Sequence, residues 1–227
     1  MNQKFTILFD LDGTLVDTAP DLMLAHNHVM KKFGYPTKST EDIRNLVGKG
    51  AGALIGRSIW GQAKQEFSKV SDEKIKAEMI KEFINFYGKN ILNESTLING
   101  VKKFLIWCKK ENISMAVCTN KTEHLAVDLL KKIGIYDYFE YVAGHNTFEY
   151  CKPDPRHLTT IIEILDGDIK KTIMIGDSES DANAAKAAEI PVILLENGYT
   201  EKNTTEIYHN HLIKDFIGIE KIISEYL

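Results

Sequence analysis

Residues 5–14 read Phe5-Thr6-Ile7-Leu8-Phe9-Asp10-Leu11-Asp12-Gly13-Thr14, and the fold is decided there. The run 5–9 is β-rich and lacks polar alternation, the pattern of a strand buried on both faces of a parallel sheet. It stops at Asp10, and a second carboxylate, Asp12, follows with a glycine turn behind it. Outward from this stretch, runs of strand length recur at 113–119, 171–175 and 191–195, with a short one at 141–143. Helical periodicity fills the intervals at 101–110, 123–133, 155–165 and 179–188. Strand alternating with helix predicts an α/β fold, a doubly wound (Rossmann-like), mostly parallel sheet. Ligands of such sheets bind beyond the carboxyl ends of the strands. Those ends carry Asp10 and Asp12, Thr119 and Asn120, and Asp177.

From Thr18 to Glu94 the rhythm breaks: helical patterns at 18–33, 42–46, 51–59 and 73–87, and no convincing strand. The expectation is an inserted all-α cap domain over 18–94 on a core formed by 1–17 and 95–227, with hinges at 17–19 and 92–100. In the last of these helices Ile75, Met79, Phe83 and Phe86 should face inward. The chain has 227 residues, 44% hydrophobic and 26% charged, the balance of a globular protein able to bury a core. A formal charge of −4 argues against broad attraction to nucleic acid or anionic lipid. Three cysteines without CxxC spacing indicate neither a disulfide framework nor a cysteine zinc site. No apolar run is long enough for a signal peptide or membrane span. A cytoplasmic enzyme, monomer or homodimer, acting on a small molecule is expected.

Two carboxylates at i and i+2 past a strand end can converge on Mg²⁺, a hard cation that takes oxygen ligands. Asp10 would then attack phosphorus in line. Asp12, one step further out, could protonate the leaving oxygen and deprotonate the hydrolytic water. Thr119 and Asn120 could hydrogen-bond a phosphoryl oxygen or cap the following helix. Lys152, in Cys151-Lys152-Pro153-Asp154-Pro155, could neutralise the transferring group. Asp177 would be a third carboxylate on the metal, and Asp181 would hold a metal-bound water or cap its helix. Val47-Gly48-Lys49-Gly50-Ala51-Gly52 lacks the ending of a nucleotide P-loop. It reads instead as a loop closing over the site, with Lys49 or Arg57 available to a substrate carboxylate. The spaced pairs His26/His28 and His209/His211 are expected at the surface, and Trp60 and Trp107 in packing.

With these pieces placed, the chain resembles the haloacid dehalogenase-like phosphatase superfamily across nearly its whole length. DLDGT at 10–14, Thr119-Asn120, Lys152-Pro153 and Gly176-Asp177-Ser178 with Asp181 match its motifs in order. The strings DLDGTLVDTAPDL (10–22), LVGKGAGALIGRSI (46–59), AVCTNK (116–121), KPDP (152–155), IGDSESDANAAKAA (175–188) and NGYTE (197–201) are similar to those of the phosphoglycolate phosphatase family. That resemblance implies Mg²⁺-dependent hydrolysis of 2-phosphoglycolate to glycolate and phosphate through an aspartyl-phosphate on Asp10. It also implies that Asp12 is the general acid/base and binds metal through its backbone carbonyl, that Thr119, Asn120 and Lys152 hold the phosphoryl group, and that Asp177, assisted by a nearby acid, completes the metal site. The competing readings are a phosphatase for another small monophosphate (sugar phosphate, nucleotide or pyrophosphate), a mutase, a dehalogenase, a receiver-like signalling module, and a catalytically silent interaction protein. Receiver modules are about half this length, lack a cap and carry the acceptor on a middle strand.

Overall fold

Thr6–Phe9 forms strand β1 with every side chain buried, as its lack of alternation requires. The computed structural model describes residues 4–60 and 70–227. After β1 come β2 (Val16–Asp17), α1 (Ala19–Phe33), α2 (Thr40–Arg44), α3 (Gly50–Trp60), α4 (Val70–Lys89), β3 (Thr96–Leu97), α5 (Val101–Lys110), β4 (Ser114–Cys118) and α6 (Glu123–Lys132). The chain ends with β5 (Tyr141–Ala143), α7 (Arg156–Ile164), β6 (Thr172–Gly176), α8 (Glu179–Ala187), β7 (Val192–Leu195), β8 (His211–Ile213) and α9 (Ile219–Ser224).

Six strands form one parallel sheet in the order β5-β4-β1-β6-β7-β8. The two faces of β1 divide the core. Ile7 and Phe9 lie in one apolar cluster with α5, α6 and α9, and Leu8 lies in the other with α7 and α8. Phe9 sits among Phe104, Phe139 and Phe216 at ring-centroid distances of 6.2, 5.8 and 6.5 Å, which fixes the strand end that carries Asp10. In register, Phe9 pairs with Val117 on one side and Ile175 on the other. β1, β4 and β6 therefore end level, and the order reverses at β1, which makes their carboxyl ends the switch-point crevice.

Helices α1 to α4 lie between β2 and β3, which pair antiparallel as Val16↔Leu97 and Asp17↔Thr96. The outgoing and returning chains are thus tied together. Asp21, only 1% exposed, makes a second tie: its carboxylate accepts from the backbone N–H groups of Asn93, Glu94 and Ser95 and from the Ser95 hydroxyl. Within the insertion α1 and α3 both pack on α4. Met79 and Phe83 are buried there and Phe86 is half-buried, but Ile75, expected to face inward, is exposed. The ribbon β2–β3 and strand β8 are both too short to leave a periodic signal.

His26 is fully buried, contrary to the surface expectation. Its Nε2 meets Ser58 Oγ at 2.6 Å and its Nδ1 meets Asn27 Oδ1 at 3.0 Å. His28 stacks on Phe86 and pairs with Glu82, while His209 and His211 are half-buried. Trp107 stacks on Phe104, and the Trp60 side chain lies outside the described residues. Asp21→Ala leaves four donors of the returning linker without their carboxylate and should destabilise the protein by about 2–4 kcal/mol, read as a lower urea midpoint at unchanged m-value. A loss below about 0.5 kcal/mol would show that water replaces the tie.

Candidate active site

Asp10 leaves the end of β1 with its backbone N–H donating to Ile175 of β6. The chain then turns at Gly13, whose φ of +83° suits glycine, and a Cβ there would lie 2.3 Å from Asp177 Oδ2. The glycine is what lets the loop lie against the third carboxylate. Asp177 follows β6, fully buried, accepting from Thr14 Oγ1 at 2.9 Å and from the Tyr199 N–H at 2.6 Å. Asp181 stands one turn along: its Oδ2 accepts from the Ser178 N–H and hydroxyl, capping α8, and its Oδ1 accepts from Lys152 Nζ at 2.6 Å. Lys152 Nζ also lies 3.0 Å from Asp10 Oδ1. Both roles expected of Asp181 are thus open to it, the cap being filled by one oxygen.

Asp10, Asp177 and Asp181 each offer an oxygen within 4.8 Å of the others. Three buried carboxylates share a single ammonium, an excess of negative charge that low dielectric makes costly. Burial, reinforced by Asp181 and Asp12 and opposed by Lys152, pushes Asp10 up to about 6. Burial and the neighbouring Asp10 and Asp181 carry Asp177 well above the carboxylate range. Burial opposes the Lys152 ammonium, yet Asp10 and Asp181 hold its pKa above the usual lysine value. Asp10 Oδ1 is moreover buried without a hydrogen bond, because the Lys152 contact is not aligned as one. All-oxygen donors, surplus negative charge and an orphaned oxygen fit a bound metal ion.

Thr119 and Asn120 follow β4 and line the pocket above Asp10. Lys121 N–H donates to Thr119 Oγ1, which leaves the Thr119 hydroxyl proton available to an anion. The Asn120 amide is spent otherwise: Nδ2 donates at 3.0 Å to the carbonyls of Lys152 and of Gly48. It thereby fixes the Lys152 loop and brings the 47–50 loop of the insertion onto the core. Asp12 turns to Lys121 Nζ, at 2.8 and 3.1 Å from its two oxygens, and accepts from Thr18 Oγ1 at 2.7 Å. Leu22, Val47, Leu54, Phe83 and Leu125 give the pocket an apolar wall.

Lys49 and Arg57 do not reach this pocket. They line a separate crevice on the other side of the 47–50 loop, with Ser178, Tyr199 and Glu201. Arg57 is engaged there by the Glu201 carboxylate and the Leu46 carbonyl. Spacing within the loop gave no indication of which way these side chains leave it.

A model of the haloacid dehalogenase-like hydrolase family matches residues 7–195. The chain belongs to that family. It is 35% identical to a phosphoglycolate phosphatase of Mesorhizobium japonicum, over 97% of this chain and 95% of that one. It is 37% identical to a phosphoglycolate phosphatase of Agrobacterium fabrum, over 96% and 94%. The crystal structure of a predicted phosphoglycolate phosphatase from Haemophilus somnus superposes with a TM-score of 0.88 at 30% identity, covering 98% of this chain and 99% of that one. With these relatives, this α/β hydrolase is a phosphatase.

Four further residues of this phosphatase escaped sequence reasoning. Lys121 and Tyr87 face Asp12, with Nζ 2.9 Å from the Tyr87 hydroxyl. His157 Nδ1 accepts from the Lys152 N–H at 3.2 Å; burial and then Lys152 lower its pKa to about 4, so it is neutral at physiological pH. Tyr199 accepts from the Ala19 N–H and donates to Asp17. Lys121 and Tyr199 lie within the strings AVCTNK and NGYTE, which carried a signal only through resemblance, while Tyr87 and His157 lie in none of the matched strings.

A pH experiment tests the carboxylate cluster. In the metal-free protein the folded state holds protons on Asp10 and Asp177 that the unfolded chain has released above 3.8. Stability from these groups is thus lost as pH rises through the window between 3.8 and about 6 for Asp10. A metal ion competes with those protons, so the rise in Tm on adding Mg²⁺ should be larger at about pH 8 than at about pH 5. Asp10→Asn should shrink the rise at both. An equal shift at both pH values would place metal binding elsewhere.

Proposed function

We propose that this phosphatase hydrolyses 2-phosphoglycolate to glycolate and phosphate, with Mg²⁺ as cofactor and Asp10 as nucleophile. The observation that carries the reading is the meeting of Asp10, Asp177, Asp181 and Lys152 at the switch point under an apolar wall, in a chain whose curated relatives are named for that activity. In this reading residues 18–94 act as a cap over a core of 1–17 and 95–227.

Asp10, Asp177 and the Asp12 carbonyl would hold Mg²⁺, with Asp181 in support, and the bound ion would supply charge neutralisation at the phosphoryl oxygens. The Thr119 hydroxyl, the Asn120 backbone N–H and Lys152 take those oxygens and orient the group. A carboxylate oxygen of Asp10 attacks phosphorus, the bond from phosphorus to the glycolate oxygen breaks, and Asp12 gives that oxygen its proton. Asp12 then takes a proton from water, the water oxygen attacks the same phosphorus, and the bond to Asp10 breaks to release phosphate. For either step Asp12 must leave Lys121 and Thr18. Lys152, buried between Asp10 and Asp181, remains ammonium throughout.

Phosphate release from 2-phosphoglycolate, sugar phosphates, nucleoside monophosphates and pyrophosphate, with and without Mg²⁺, tests the reading. 2-Phosphoglycolate should lead in kcat/KM by about tenfold or more, and Asp10→Asn should cost about 10³-fold or more. Another leading substrate would overturn the specificity while leaving the phosphatase assignment intact.

A further inference from the structure

Lys121 is the one cation among the described residues that line the pocket, and no role in the chemistry above is assigned to its side chain. Its side chain is 5% exposed, held between Asp12 and Tyr87, with Nζ 4.3 Å from the Tyr87 ring centroid. Lys49 and Arg57, the other cations considered for a substrate tail, face a different crevice. Beside it the pocket is lined largely by the apolar side chains of Leu22, Val47, Leu54, Phe83 and Leu125, with Thr122 a polar neighbour.

We propose that Lys121 is the receptor for an anionic group on the leaving-group side of the substrate, the carboxylate in the case of 2-phosphoglycolate. The argument is one of charge balance in a dry site, and it rests on the phosphatase reading above. A buried ammonium is stable only while an anion or hydrogen-bond acceptor faces it. In the structure that anion is Asp12. When Asp12 turns toward the leaving oxygen, Lys121 is left with the Tyr87 hydroxyl and ring alone. A substrate carboxylate takes the vacated place, so the pocket exchanges one anion for another. A neutral tail leaves the ammonium facing only the Tyr87 hydroxyl and ring, with no anion to balance its charge, and the site disfavours it for that reason. Lys121 thus selects for a charged tail, and the apolar wall limits that tail's size and polarity elsewhere.

Steady-state kinetics on the full-length protein decide the matter, using 2-phosphoglycolate, 3-phosphoglycerate and the neutral-tailed 2-hydroxyethyl phosphate. In Lys121→Met the ratio of kcat/KM for 2-phosphoglycolate over 2-hydroxyethyl phosphate should fall by about tenfold or more, chiefly through KM for the charged ester. Lys121→Arg should restore part of the ratio. Tyr87→Phe, which keeps the ring and the ammonium, should lower it by a smaller factor and covers the case in which Lys121→Met does not fold. Equal losses on charged and neutral esters would overturn the inference and leave Lys121 as a support for Asp12. If 3-phosphoglycerate leads in the wild type and Lys121→Met erases that lead over the neutral ester, the Lys121 inference stands and the 2-phosphoglycolate reading falls. If 2-phosphoglycolate leads and the variant keeps the ratio, the reverse holds.

Discussion

Three carboxylates and one ammonium buried together at the end of β1 are the constraint that organises this molecule. Asp10, Asp177 and Asp181 are each at most 6% exposed, and Lys152 reaches only two of them. Such a cluster is destabilising unless every oxygen is held or a cation arrives. Nearly every distinctive local feature supports it. Gly13 lets the loop lie against Asp177, and Thr14 and the Tyr199 N–H hold that carboxylate. The α8 cap holds Asp181, and the aromatic cluster around Phe9 fixes the strand that delivers Asp10. Stability and activity pull against each other here, as in any site that keeps like charges close for a ligand.

Much of this was legible in the sequence because it follows from strand ends. Runs buried on both faces announce parallel strands, and a parallel sheet assigns its chemistry to the residue after each run. Placing Asp10, Thr119 and Asp177 at those strand ends needed nothing more. Tyr87, Lys121 and Tyr199 have side chains that meet residues 34 to 182 positions away, and no local period encodes such meetings. His26 shows the same gap in another form. Spacing two residues from His28 on a helix turns the two rings to different faces, but which face packs depends on α3, whose Ser58 meets His26. Lys49 and Arg57 line a different crevice from the one that holds Asp10 for a related reason: a glycine-rich loop fixes where the backbone goes, while the direction of the Arg57 side chain depends on Glu201, far along the chain.

The insertion is joined to the site at its first connection, through Asp17, Thr18 and Ala19, and at its 47–50 loop. Thr18 precedes α1 and gives its hydroxyl to Asp12 rather than to the helix, so α1 starts without a side-chain cap. Tyr199 ties Asp177 through its backbone and Asp17 and Ala19 through its ring hydroxyl, while Arg44 of α2 pairs with Asp17 and lies over the Tyr199 ring. Asn120 holds the Gly48 carbonyl with the same amide that holds Lys152. Displacing the helices from this arrangement would therefore break contacts made to Asp12, to Tyr199 beside Asp177 and to the amide that holds the Lys152 carbonyl. The residues at the start of the insertion are thus bonded directly to the residues of the carboxylate site, Thr18 to Asp12 and Asp17 and Ala19 to Tyr199, which in turn holds Asp177.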